Sequence, residues 1–145
     1  MYKKIYTVQI LTKNRKKKYM TKLVENKIPL SFRGIADKKV LFRLFNPKRN
    51  KSKSFNIYEK ARLSSTIKQA FDNDYRKVDI EYDTTANLRF KKANVLVDVP
   101  QYIIKSKKKL YEEMLSSNRE FMKSNKVPQS IIDNQKYFEQ IVSQL

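Results

Sequence analysis

The 145-residue sequence contains no cysteine, no histidine and no tryptophan, and has a single glycine, Gly34. Without cysteine there is no disulfide and no thiolate chemistry. Without histidine the chain lacks the usual general base near neutral pH and the commonest metal ligand. One glycine cannot build a Gly-rich phosphate loop. The longest apolar runs are a few residues, far short of the roughly 20 that a bilayer-spanning helix needs. A strand-like pattern, Ile5 to Leu11, begins almost at Met1 and leaves no room for a signal or transit peptide. These absences argue against an enzyme, a resident cofactor, a small-molecule substrate and a membrane span.

What the chain has in excess is positive charge. It carries 33 Lys and Arg against 14 Asp and Glu, a net charge of +19. Self-repulsion on that scale opposes compaction unless an anionic partner offsets it, and a strongly basic domain is the electrostatic footprint of a nucleic-acid binder. The excess is concentrated. Residues 1–60 hold 18 basic and three acidic side chains, a balance of +15. Residues 61–92 and 93–145 each balance at +2. The densest part is Leu41 to Leu63, two apolar-patterned arms around a tip of Lys, Arg, Asn, Ser and one Pro from Asn46 to Ser54.

The periodicity predicts an α+β domain. Lys4–Thr12 reads as a first strand and Lys16–Asn26 as a short helix. Ile28 is held extended by Pro29, and Gly34 marks a loop with an ordinary turn or a positive φ. Val40–Phe45 and Phe55–Leu63 read as two strands of a long hairpin. Ser64–Phe71 reads as a helix capped by Ser64 or Ser65. Val78–Tyr82 alternates and reads as a fourth strand. The resulting β-α-β-β-α-β order is that of a ferredoxin-like sheet. Asn94–Val99 suggests one more short strand. Lys107–Lys123 and the stretch opening at Pro128 read as two tail helices. The expected division is residues 1–86 for the sheet domain, with its hairpin at about 28–63, and residues 87–145 for a helical extension.

Cations on the hairpin would contact phosphates and release counterions. The expected contact set is Arg33, Arg43, Lys48, Arg49, Asn50, Lys51, Lys53, Lys60 and Arg62. Asp79, Glu81 and Asp83 would share one face of the fourth strand. They could hold Mg²⁺ in a nuclease-like site, but the polar face of a half-buried strand is the stronger reading. Tyr6, Phe42, Phe45, Phe55, Tyr58 and Tyr82 fall on the strand segments and could stack bases; at that spacing they read as core.

Several pieces of the chain, in order, resemble the universal small-subunit ribosomal protein S-ten family, the NusE-like proteins of bacterial antitermination. Ile28-Pro29-Leu30 is similar to the segment that leads into the family's long hairpin. Asn46-Pro47, Asn50-Lys51 and Ser54 are similar to its tip, and Phe55-Asn56-Ile57 with Arg62-Leu63 to the strand leaving it. Thr66-Ile67, Phe71 and Val78-Asp79-Ile80-Glu81 are similar to its second helix and last strand. The resemblance implies a structural constituent of the small-subunit head, with small-subunit rRNA and neighbouring head proteins as partners. Divergence, Lys/Asn richness and the missing presequence point to an organelle-encoded mitochondrial ribosomal protein, with a plastid or bacterial cytoplasm as the alternative. A free-standing regulatory or phage-type nucleic-acid binder is the competing function.

Overall fold

The computed structural model describes residues 28–84 and 92–145. The first strand and first helix expected from the sequence lie outside them. The chain forms two compact units, residues 1–33 and 34–145. In the first, Arg33 Nε donates to the Ile28 carbonyl (3.1 Å) and the Phe32 amide to that of Pro29 (2.9 Å). A 3₁₀ helix runs Leu30–Ile35. Gly34 lies in it with no positive φ and no atom within 4 Å of where a Cβ would stand, so it is an ordinary turn residue.

The unit 34–145 is mostly helical around a two-stranded antiparallel ribbon. Strand β1 is Val40–Phe42 and β2 is Val95–Val97, with Val40 opposite Val97, Leu41 opposite Leu96 and Phe42 opposite Val95. All six residues are buried, as expected for strands covered on both faces. On one face, Leu41, Leu44, Ala93 and Leu96 join Tyr111, Met114, Leu115, Ile131, Phe138 and Val142 in one apolar cluster. The last six come from α4 (Lys108–Ser124) and α5 (Gln129–Ser143), the two tail helices. On the other face the Phe42 ring meets those of Tyr58 and Tyr75 edge-on, with centroids 5.5 and 5.1 Å apart. That side is built by α1 (Lys53–Ala61), α2 (Ile67–Asp72) and α3 (Lys77–Thr84).

The ferredoxin-like sheet is therefore not formed. Phe55–Leu63 is not a strand: it is helical to Ala61, because Ser52 caps the helix, its Oγ accepting from the Phe55 amide at 3.0 Å, and because Tyr58 and Ala61, three apart, are the buried pair. Val78–Tyr82 is helical too. Asp79 accepts from the Arg76 amide at 3.0 Å, and the buried positions are Ile80, Asp83 and Thr84, at helical spacing. Val78 and Tyr82, the flanks of the apparent alternation, are 59% and 44% exposed. Five residues are too few to separate a period of two from one of 3.6. In α2 the cap is Thr66 rather than either serine; its side chain accepts from Gln69 N. Asp74, at φ 70°, turns the chain from α2 into α3.

β1 and β2 pair across residue 86. The tail helices also close the ribbon's open edge. Asn118, fully buried, accepts from the Leu44 amide (2.8 Å) and donates to the Phe42 carbonyl (3.1 Å) and to Gln135 (3.3 Å). Asn134 Nδ2 donates to the carbonyls of Val40 and Ser65, both at 2.9 Å. With the Val40 amide bonded to the Ser65 carbonyl at 3.2 Å and an antiparallel bridge from Lys39 to Thr66, these two side-chain amides occupy that edge and keep it from pairing elsewhere.

Candidate nucleic-acid interface

The tip between β1 and α1 is a compact turn. The Asn46 side chain spans Pro47, with Oδ1 accepting from the Lys48 amide at 3.0 Å. Its Nδ2 donates to the Phe55 carbonyl and to Glu59, both at 3.0 Å. Lys51 is at φ 66°, an uncommon conformation for a residue with a side chain. It lets Ser52 reach back, Oγ donating to the Arg49 carbonyl at 2.6 Å, before capping α1.

The expected contact residues separate into three groups. Arg49, Asn50, Lys51 and Lys53 are exposed on the tip, and no carboxylate among the described residues pairs with Arg49, Lys51 or Lys53. Lys60 is exposed, 3.5 Å from Asp74. Arg33 is exposed in the other compact unit. The remaining three are engaged within the fold.

Arg43 belongs to the core, only 4% exposed. Its Nε and one terminal nitrogen donate to the Ala93 carbonyl at 3.2 and 2.8 Å, and the guanidinium forks onto Glu113 at 2.5 and 3.1 Å. The hydrogen bonds from Arg43 hold the Glu113 carboxyl below its ordinary range. Arg62 is half-buried: it donates to Glu59 (3.0 Å) and the Leu44 carbonyl (3.3 Å) and lies over the Phe121 ring. Burial pushes the Glu59 carboxyl up, but the hydrogen bonds from Asn46 and Arg62 outweigh it and leave the group lowered.

Lys48 turns inward to Asp83, at 2.6 Å, with its ammonium 4.9 Å from the Tyr82 ring centre and 5.8 Å from that of Tyr58. Asp83 is 1% exposed and also accepts from the Tyr75 hydroxyl. Tyr58 donates to the Arg43 carbonyl at 2.7 Å. Burial raises the pKa of both phenols well above the ordinary range, and the nearby Asp83 carboxylate adds to the effect. This network ties the base of the tip to α3.

It also dissolves the carboxylate triad. On a helix, Asp79, Glu81 and Asp83 do not share a face. Asp79 pairs with Arg76 at 2.8 Å and Asp83 with Lys48, while Glu81 is exposed. Among the described residues no group of three or more acidic side chains could hold a metal.

Two recesses border the tip. A cleft of about 560 Å³ between the tip and α3 is lined by Lys48, Arg49, Arg76, Val78, Tyr82 and Lys92, with Asn94 in its wall. A groove of about 530 Å³ on the other side is lined by Phe45, Asn50, Phe55, Arg62 and Phe121, and Lys48 borders both. Sequence reasoning missed the cleft cations Arg76 and Lys92, since only the fold of α3 brings them beside the tip. It also assigned Phe45 and Tyr82 to the core with the other aromatics. Phe42 and Tyr58 are buried, but Phe45 is 71% exposed and Tyr82 44%. The adjacent Asn46-Pro47 turn was the available signal that the strand ends before Phe45.

No family model, curated protein or solved structure matches this chain.

Proposed function

We propose that this chain binds RNA through the 48–53 tip, as a non-enzymatic constituent of a ribonucleoprotein particle. The observation that carries the reading is the set of exposed cations Arg49, Lys51 and Lys53, without a carboxylate partner among the described residues, on a turn held by Asn46 and Ser52. Lys60, Lys68, Arg76, Arg119 and Lys123 each have a carboxylate within 4 Å, while exposed lysines such as Lys77, Lys126 and Lys136 have none among the described residues. On the tip, three such cations fall within five residues, on a framework that loses little freedom on binding. Cations so placed gain affinity by releasing counterions from phosphates.

The host particle we propose is the small subunit of an organellar ribosome. Support for it is the net charge of +19, which a polyanionic scaffold would neutralise. The β-hairpin that underlay the S-ten resemblance is absent, so neither that family's placement in the head nor its hairpin-in-rRNA geometry supports the reading. Gradient sedimentation of a tagged full-length chain tests it. The expected result is co-migration with a ribonucleoprotein that ribonuclease releases. Migration as a free protein, unchanged by ribonuclease, would refute it.

A further inference from the structure

Two rings left open by the fold flank the basic tip. Phe45 stands at its start, 71% exposed, on the groove that Asn50 also lines. Tyr82 is 44% exposed on the cleft that Arg49 also lines. Lys48, pinned between Asp83 and the Tyr82 ring, is the shared wall. Each recess therefore combines an aromatic face, a nearby cation and a side-chain amide, Asn50 in one and Asn94 in the other. Asn94 Oδ1 is the one buried side-chain polar atom without a hydrogen-bond partner among the described residues. A buried acceptor left unpaired calls for a donor, and each of the four RNA bases carries at least one N–H on its Watson–Crick edge.

These features discriminate between occupants. An apolar protein surface would cover Phe45 and Tyr82 but leave Arg49, Lys51 and Lys53 uncompensated. An RNA duplex would satisfy the cations but keep its base faces stacked inside the helix, out of reach of the rings. Unpaired RNA offers both, phosphates for the cations and free π-faces for the rings, the combination used by single-strand binding surfaces. We propose that the tip is a single-strand-selective RNA site. One base stacks on Phe45 and another on Tyr82, and the intervening phosphates lie on Arg49, Lys51 and Lys53. The proposal rests on the RNA-binding reading above and adds the kind of RNA and the residues that select it.

The test compares a short mixed-sequence oligoribonucleotide with its blunt-ended duplex, titrated against the full chain by fluorescence anisotropy at fixed salt. Variants are Phe45→Ala, Tyr82→Ala and the ring-preserving Phe45→Trp and Tyr82→Phe. Each alanine is expected to weaken single-strand binding by about 5- to 150-fold, the range for loss of one stacked base. Duplex affinity should not change, and the ring-preserving variants should bind as the parent does. Equal loss on both RNAs, or no loss on the single strand, would overturn single-strand selection while leaving RNA binding intact. Failure of the parent chain to bind either RNA would refute the RNA-binding reading and this proposal together. Phe45 is mostly solvent-exposed, so Phe45→Ala decides the matter by itself if Tyr82→Ala fails to fold.

Discussion

Replacing Arg43 with alanine is expected to damage the fold and leave the RNA contact intact. Among the described residues, the guanidinium supplies the hydrogen bonds to the Ala93 carbonyl, at 3.2 and 2.8 Å, and Ala93 is fully buried. Leaving that carbonyl unpaired costs about 1–3 kcal/mol. Losing two packed methylenes of the arginine stem adds about 1.6 kcal/mol. The Glu113 side chain is 57% exposed, so it rehydrates when abandoned, and the ion pair itself contributes roughly 0–1 kcal/mol after solvent screening. The total is about 3–5 kcal/mol, a large share of the roughly 5–15 kcal/mol that holds an ordinary domain together. With a urea slope of about 1.5 kcal/mol per molar, the unfolding midpoint should fall by roughly 2–3 M. Urea titration followed by far-ultraviolet circular dichroism measures this, with RNA anisotropy run without denaturant on the same samples. Arg43→Lys should recover little, because an ammonium cannot fork between a carbonyl and a carboxylate. An unchanged midpoint with weakened RNA binding would refute the reasoning and return Arg43 to the interface.

Three further outcomes follow from the same geometry. Asn118→Ala orphans the Leu44 amide and the Phe42 carbonyl and should cost about 2–5 kcal/mol, read by chemical denaturation together with faster exchange of the Leu44 amide; unaltered protection there would count against the edge-closing role. Ser52→Ala removes the α1 cap and the Arg49 tether and should cost about 1 kcal/mol, with the Phe55 amide exchanging faster and the tip's RNA affinity lowered. Glu113 has its carboxyl held below the ordinary range by the hydrogen bonds from Arg43, so its contribution is present above the unfolded glutamate pKa of about 4.3 and is lost as pH falls through the lower folded value. Acid unfolding should be less steep in Glu113→Gln, and equal steepness in both proteins would contradict the assigned pairing.

How far the sequence could be read depended on segment length. The tail helices were legible because Leu110, Met114, Leu115 and Phe121, and then Ile131, Phe138 and Val142, repeat over about three turns. At that length a helical period is unambiguous. Val40–Phe42 and Val95–Val97 were legible as β-branched and aromatic runs, though nothing local showed that they pair with each other across more than 50 residues. Phe55–Leu63 and Val78–Tyr82 misled because an apolar residue every second position over five to nine residues also satisfies a short amphipathic helix. There the Ser52 cap and the Asp79 carboxylate, which takes up the free Arg76 amide, decide the outcome. For the interface, residue type showed that cations gather near 43–62, but burial sorted them. Arg43 sits between two core elements and Lys48 has a buried carboxylate to reach, and neither fact is local to the sequence around it.

The central claim, that Arg49, Lys51 and Lys53 contact RNA phosphates, is tested most directly by the salt dependence of binding. The observed association constant of the parent chain for a single-stranded RNA is measured across a range of monovalent salt, then that of the Arg49→Ala, Lys51→Ala, Lys53→Ala triple variant. Each lost phosphate contact on a single strand reduces the log–log slope by about 0.7. The expected result is a slope shallower by about 2 in the triple variant, with weaker binding at low salt and an unchanged urea midpoint. Identical slopes for the two proteins would contradict the claim.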